Sequence, residues 1–435
     1  MAISVSRLRA AGLAKESVLG TPITTPTRYL NIVPPDAFTP MIEPLPSKGI
    51  EALANMYPKI TQGPGTLNGM KVKLEVEPDN IGEILQALFG SDTQTSSFII
   101  TTGVNDTLDV FNVSHGLTEV ATIAAGSYAT ITALISAINS AFGSATGGSC
   151  SLVATNVGGK IHLEPTTDYY NLLIASGANH SKSAYPTIGF TGGVDITNIS
   201  NGSGTTAPST PSSGSTSSHV FTRQAVSQLP SYSWWFDKAL KYPIFAGAMC
   251  SKLDLNLQAK GILEADTEWV GTVYDGTDGT SKSTSYSALK PFVWSNAVVQ
   301  IDGVTKSGYD NFKLSLSNAV KADHALNGSI WPYAIYSEGF TPELSMELFF
   351  EDTTQYAKFL AGTEAHVNLT LTSTQGGVTY SLAIDIPKWY YKSANLIIPS
   401  NGPLKIPFTG LCRDDIGGTG YDVQVTLVND VLTQY

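Results

Sequence analysis

Three features of the 435-residue sequence predict an α+β fold that is mainly β. Stretches of strictly alternating apolar and polar residues recur along the chain, Gly is abundant at 40 residues among many Ser and Thr, and only three segments carry helical spacing. Hydrophobic residues make up 42% and charged residues 14%, below the usual quarter or so. That balance argues against a coiled coil, a helical repeat array and a wholly disordered chain.

Residues 1–48 read as an extended arm. Pro22, Pro26, Pro34, Pro35, Pro40, Pro44 and Pro46 leave no room for a helix, and such an arm must lie along its own domain or a neighbouring subunit. Met70 to Glu77 alternates without a break and reads as a strand with one wet face, which makes Glu75 and Glu77 candidates for it, on an inner or an outer surface. Asp79 then offers an N-cap to a helix using Ile81, Ile84, Leu85, Leu88 and Phe89, closed by Gly90. From Ser97 onward short strands are expected at 98–100, 107–113, 118–123, 151–154, 160–164 and 171–175. A helix over Ile131, Leu134, Ile135, Ile138 and Phe142 interrupts them and stops at Gly143. Residues 201–218 hold only Asn, Gly, Ser, Thr, Ala and Pro, the composition of a flexible linker. A compact block between that linker and a Ser/Thr/Gln-rich hinge reads as an inserted domain. Beyond it, alternation at 253–258, 312–316, 367–371, 380–386 and 421–427 continues the strands, with a short helix after Asp352 on Tyr356, Phe359 and Leu360.

Charge and motifs exclude several functions. The formal charge is −11, and the most basic stretch, Lys238 to Lys241, has two positive charges and includes Asp237, so a general grip on phosphate backbones is not expected. Cys150, Cys250 and Cys412 are far apart and odd in number, which argues against a disulfide framework and for a reducing compartment. The N-terminal segment lacks the apolar core of a signal peptide, and no run approaches the 18 apolar residues or so of a membrane span. Gly63 to Gly69 is a poor dinucleotide fingerprint, with Pro64 inside it and a strand after it, and reads as a turn. The six histidines, His115, His162, His180, His219, His324 and His366, show no metal-ligand spacing. Asp275 to Thr280 could be a calcium loop but lacks a closing Glu and reads as a hairpin turn. Asp414 and Asp415 would face opposite sides of an extended segment, so a turn is expected there rather than a carboxylate pair. Trp234-Trp235-Phe236 could stack a sugar or base, though core or interface packing suits it better because nothing basic accompanies it. No catalytic, cofactor-binding or metal-binding residue is assigned, and no cofactor is expected.

Four segments resemble major tail tube proteins of long-tailed, siphovirus-type bacteriophages. They are Glu16 to Pro22 followed by Tyr29-Leu30; the strand-then-helix stretch from Gly69 to Gly90; Phe245 to Leu255; and Phe408-Thr409-Gly410 through Val423 to Asn429. The block from about 97 to 218 departs from the plain tube fold, and its Gly103 to Leu108, Ala125 to Tyr128 and Ile188-Gly189-Phe190 are similar to small modules inserted in other virion proteins.

The resemblance implies an antiparallel β-sandwich or barrel of tail-tube type with a flanking helix, plus a small inserted α+β domain. It implies a tube domain split in the sequence, its N-terminal segment at 49–95 and its C-terminal segment at 219–435. An arm at 1–48 precedes it, and an inserted domain on the outer surface at 96–200 and a linker at 201–218 separate its two segments. It further implies a non-enzymatic virion protein, made in the host cytoplasm, that self-assembles into stacked hexameric rings around a channel for DNA ejection. Its partners would be copies of itself, the tape-measure protein, tail terminator and distal tail proteins, and DNA in transit without specific binding. Two other readings stand beside it: a surface adhesin or carbohydrate-binding virion module using Trp234-Trp235-Phe236 and the insertion, and a β-rich hydrolase.

Overall fold

The computed structural model describes residues 10–36, 39–46, 60–96, 98–128, 130–147, 150–158, 160–191, 193–209, 216–224, 229–237, 242–275, 282–350, 352–395, 403–431 and 433–435. Strands dominate, their pairings are antiparallel, and three α-helices occur among the described residues. The chain divides into two compact units: residues 1–93, 219–428 and 435 form the first, and residues 94–218 with 429–434 the second.

The first unit is built on long strands. Ile60–Glu75 pairs with Glu264–Gly271, and the ladder continues through Ile244–Gln258, Tyr309–Asp323, Ala334–Phe349, Lys405–Arg413, Val378–Ala394, Ala365–Gln375 and Ala297–Ile301. Alternation decides which face is dry. Val72, Leu74, Leu253, Leu255, Leu314, Leu344, Leu369 and Ile384 enter one hydrophobic cluster, while the residues between them point to the other face and stay partly exposed, except Asp254, which its lysine partners cover. The ladder curls back on itself: the Tyr309 hydroxyl donates to the Ala297 carbonyl at 3.2 Å, although their strands are not neighbours in the ladder. Val76, Leu263 and Phe292 close a second seam through their backbones.

Helix α1 (Gly82–Phe89) fills this core, with all eight of its residues buried. The expected apolar set is fully inside, and Gly90 ends the helix at φ 84°, a left-handed position that suits glycine. The N-cap differs from expectation. Ile81 occupies it with no side-chain cap, while Asp79 lies 4.0 Å from Arg28. Asn80 ties the preceding turn instead, accepting from the Glu77 amide and donating to the Glu75 carbonyl and the Glu77 carboxylate, each at 3.0 Å. Such a side chain competes with the backbone and favours a turn at this position.

One further expectation is corrected in this unit. Gly63 to Gly69 is no turn but the middle of the Ile60–Glu75 strand, paired with Thr39–Pro46 on one side and Glu264–Gly271 on the other. The glycines mark close approaches: a Cβ on Gly63 would stand 2.2 Å from the Glu43 carbonyl oxygen, and one on Gly65 2.8 Å from the Trp331 ring. The segment read as an arm lies along its own unit, one of the two placements expected for it. Ala10–Lys15 pairs with Tyr232–Asp237 and with Arg28–Leu30, burying Ala11 and Leu13 completely. Prolines forbid a helix, but they permit strands that pair along a bent path; residues 1–9, 37–38 and 47–59 lie outside the described residues.

Helix α3, found later in the chain at Thr354–Ala361, starts after Asp352, whose carboxylate accepts from the Thr354 amide at 2.7 Å, and ends at left-handed Gly362. Tyr356 and Phe359 pack on the core, but Leu360, expected with them, is 68% exposed. A two-turn helix tangent to a sheet covers it with a narrower stripe than the sequence spacing suggests.

The second unit uses short strands. Thr107–Asn112 lies between Leu117–Thr122 and Tyr169–Leu172, with Ile196–Ser200 outermost; Leu152–Val157, Lys160–Pro165 and Thr205–Thr206 make a second sheet. Helix α2 (Ile131–Gly143), which precedes the second sheet in the chain, is capped by Thr130, whose hydroxyl accepts from the Ala133 amide, and it buries Leu134, Ile138, Ala141 and Phe142. Residues 201–209 fall in the expected linker, yet Thr205–Thr206 pairs with His162 and Leu163, Ala207 is 1% exposed, and Ser209 bonds the Gly189 carbonyl. Small polar residues carry no signal that separates a linker from an edge strand; residues 210–215 lie outside the described residues. The chain leaves the first unit and returns to it at adjacent points, where the Ser91 hydroxyl donates to the Thr222 carbonyl at 2.6 Å.

Candidate functional site

The residues singled out in the sequence do not converge. Trp234, Trp235 and Phe236 are at most 1% exposed: Trp234 lies edge-on to Trp269 with ring centroids 5.1 Å apart, and Trp235 belongs to a small cluster with Ala10 and Ile244. They hold the core together and cannot stack a ligand. Asp415 sits in a turn, paired with Lys388 at 2.7 Å and accepting from the Thr419 amide. Asp275 ends a strand, and residues 276–280 lie outside the described residues. His219 is completely buried against Asp92, Nδ1 to Oδ2 2.9 Å, a structural pair. Among the described residues no three His, Cys, Asp or Glu side chains gather as a metal site. Burial raises the thiols of Cys250 and Cys412, so neither is a nucleophile. No described helix is long and apolar enough to cross a membrane.

One residue that the sequence marked only as the start of a resembling segment fixes the N-terminal segment in place. Glu16 is 8% exposed, and its carboxylate accepts from the Gly20 amide at 2.9 Å, the Ser231 and Ser233 hydroxyls at 2.7 and 2.6 Å, and the Gly247 amide at 2.8 Å. It staples that segment to two strands distant in the sequence. A lone Glu within a proline-rich stretch gave no periodic signal for this.

Two surfaces of the first unit remain as functional candidates. The first is the wet face of the long strands. Lys71 meets Glu268 at 3.0 Å, Lys73 meets Glu264 at 2.8 Å, and Asp254 takes Lys252 at 2.8 Å and Lys313 at 3.6 Å. Glu75 and Asp266 stand on the same face. The four lysines are therefore each beside a carboxylate, and the strip offers little to a phosphate. Glu77, expected beside Glu75 on the wet face, is instead 5% exposed; the strand ends at Glu75 and the chain turns it inward. Burial, with Asp79 nearby, pushes its carboxyl up to about 7.

The second surface is made by two hairpins. In one, Thr39–Pro46 runs along Ile60–Glu75 with Met41, Ile42 and Leu45 exposed at 45–56%. The other joins Tyr309–Asp323 to Ala334–Phe349 and exposes Leu326 and Tyr333. Gly65 links them: its amide donates to the Ile330 carbonyl at 2.7 Å, and its carbonyl lies 3.0 Å from His324 Nε2. Large apolar side chains left exposed on neighbouring hairpins make this surface a candidate interface.

A family model described as phage tail tube protein matches residues 6–412 of the chain, which takes in both units. No curated protein matches the sequence.

Proposed function

Because the chain belongs to the phage tail tube protein family, a structural component of the virion tail, we propose that it assembles into stacked hexameric rings whose bore carries DNA during ejection. The observation that supports this most directly is the apolar double hairpin. Met41, Ile42, Leu45, Leu326 and Tyr333 have water where a second copy of the chain would cover them. The wet face of the long strands is the natural wall of the bore. Its lysines are already paired with carboxylates, so a polyanion slides past without a fixed counter-charge to hold it.

The domain organisation expected from the sequence follows the same reading. The block from about 96 to 200 faces outward, where it does not obstruct stacking, and an outward block argues against a surrounding contractile sheath, in keeping with a siphovirus-type tail. The tape-measure, terminator and distal tail proteins meet the tube along its bore and at its ends. Synthesis takes place in the host cytoplasm, and the role is non-catalytic. The adhesin reading loses its aromatic surface, because Trp234, Trp235 and Phe236 are buried.

Negative-stain electron microscopy of the concentrated protein tests the proposal. Hollow rods or six-fold rings are expected from the wild type. The triple variant Met41→Ser, Ile42→Ser, Leu45→Ser should stay monomeric while melting at an unchanged temperature. Normal rods from the variant would remove the hairpin from the interface. Monomers from the wild type, even with tail-initiating partners added, would overturn the tube reading.

A further inference from the structure

The second unit contains a pocket of about 510 Å³ lined by His115, Leu117, Glu119, Cys150, Ser151, Thr167 and Asp168. Its position follows from the fold. Leu117–Thr122 brings Glu119 inward on the same side as Ala121, and the turn before Tyr169–Leu172 carries Asp168 at φ 58°, a left-handed conformation that Asp tolerates better than most residues. The Ser151 hydroxyl donates to the Thr167 carbonyl at 2.9 Å and fixes the opposite wall.

Glu119 is the unusual member. It is 2% exposed, and one oxygen accepts from the Asn112 side chain at 3.2 Å. The other, Oε2, is buried and has no hydrogen-bond partner among the described residues. Its neighbour Cys150 has a thiol pushed up to about 12, by burial first and by Glu119 among the lesser causes, so it remains a neutral and weak donor. A carboxylate oxygen withdrawn from water with nothing stronger than a thiol beside it is costly unless something completes it. Asp168 adds a second carboxylate on the rim, touched by the Thr167 hydroxyl at 3.5 Å and standing 3.9 Å from His115 Nδ1. No Lys or Arg lines the pocket, and the segment 94–218 contains only Lys160 and Lys182 and no Arg.

We propose that this pocket binds a small hydroxylated primary ammonium compound of the amino-sugar class, with the ammonium between Glu119 and Asp168. Two carboxylates with no Lys or Arg beside them, and only the exposed His115 near the outer one, call for a charged donor, and an ammonium supplies three N–H bonds that are stronger for being charge-assisted. The volume far exceeds one ammonium group. Hydroxyls on the ligand match Ser151 and Thr167, and a carbon face lies against the half-exposed Leu117. The inference does not depend on tube assembly, since it concerns only the second unit.

Titration calorimetry on the full-length protein at neutral pH and low salt tests it with three probes: glucosamine, N-acetylglucosamine and putrescine. Saturable binding of glucosamine with a Kd on the order of 1 mM or tighter is expected, with N-acetylglucosamine, which lacks the charge, at least about tenfold weaker. Glu119→Gln keeps the shape and should weaken glucosamine about tenfold or more. Asp168→Asn, on the rim and harmless to folding, should weaken it severalfold. Equal binding of the acetylated sugar would overturn ammonium recognition, and equal or tighter binding of putrescine would overturn the sugar class. Failure of glucosamine to bind, or unchanged binding in both variants, would overturn the site itself.

Discussion

The two units solve the same problem, enclosing a core with antiparallel strands, in different ways. The first uses strands of 15 to 17 residues around large aromatic side chains, with Trp234, Trp269 and Trp389 fully buried, and lines their wet face with ion pairs. The second uses strands of two to six residues and a helix with no charged side chain, and it fixes its interior with neutral donors. There the buried Asp109 carboxylate accepts from the Asn179 amide and side chain at 2.8 and 3.0 Å, and the Tyr185 hydroxyl donates to the Asp109 carbonyl. Long ladders suit a unit that must continue into its neighbours, because each long strand presents a wide face at fixed register. Short strands stapled by local polar bonds suit a unit that is complete in itself.

The largest effects should come from breaking each core separately. Trp234→Ala removes a ring that stacks on Phe236 and meets Trp269 edge-on, and should cost the first unit about 3–5 kcal/mol. Phe142→Ala, at the end of α2, should cost the second unit a similar amount, about 3–5 kcal/mol. Hydrogen exchange followed by mass spectrometry reads both. Protection should fall in residues of the mutated unit and hold in the other. Loss spreading across both units in either variant would show that the two cores, which share no residue, are one cooperative structure.

A smaller effect is expected where the N-terminal segment joins the first unit. Glu16→Ala leaves two backbone amides and two hydroxyls without their acceptor, for a cost of about 3 kcal/mol, and Glu16→Gln, which keeps some of the acceptor, should cost less. The thermal midpoint measures both. Deleting residues 1–48 should cost more than either substitution. The truncated chain would bare one side of the Tyr232–Asp237 strand and lose its fold rather than leave a stable globule.

Period was what made the elements legible. The three described helices lie where 3.6-residue spacing puts them, because burying one stripe needs that spacing, and the strands from Met70 and from Leu253 lie where alternation puts them. What was illegible depended on partners distant in sequence. Gly65 reads as a turn until Trp331, far along the chain, is seen to need the missing Cβ. Glu77 extends a perfect alternation and yet is turned inward by Asn80. Glu16 is one carboxylate whose four donors come from three separate segments. The pocket in the second unit shows the same limit, since Glu119 and Asp168 belong to no motif and meet only through the packing of their strands.

The two units also differ in how they keep a carboxyl group out of water, and Glu77 gives the smallest and most specific test. Asp109 in the second unit is held by two donors from one residue, whereas Glu77 in the first has Asn31 and Asn80 as donors and Asp79 as a like-charged neighbour, and burial pushes its carboxyl from the ordinary 4.5 up to about 7. An acid raised in the native state holds its proton there while the unfolded chain has lost its own. Its contribution is therefore fully present below about 4.5 and is lost as pH rises through about 7. Glu77→Gln keeps the acceptor toward Asn80 and cannot ionise. Against this variant, the wild type should lose stability across that interval, on the order of 1 kcal/mol or more, read as a widening gap between their denaturant midpoints. Parallel midpoints from acid to neutral pH would mean that Glu77 ionises as an exposed glutamate does, and would return it to the wet face with Glu75.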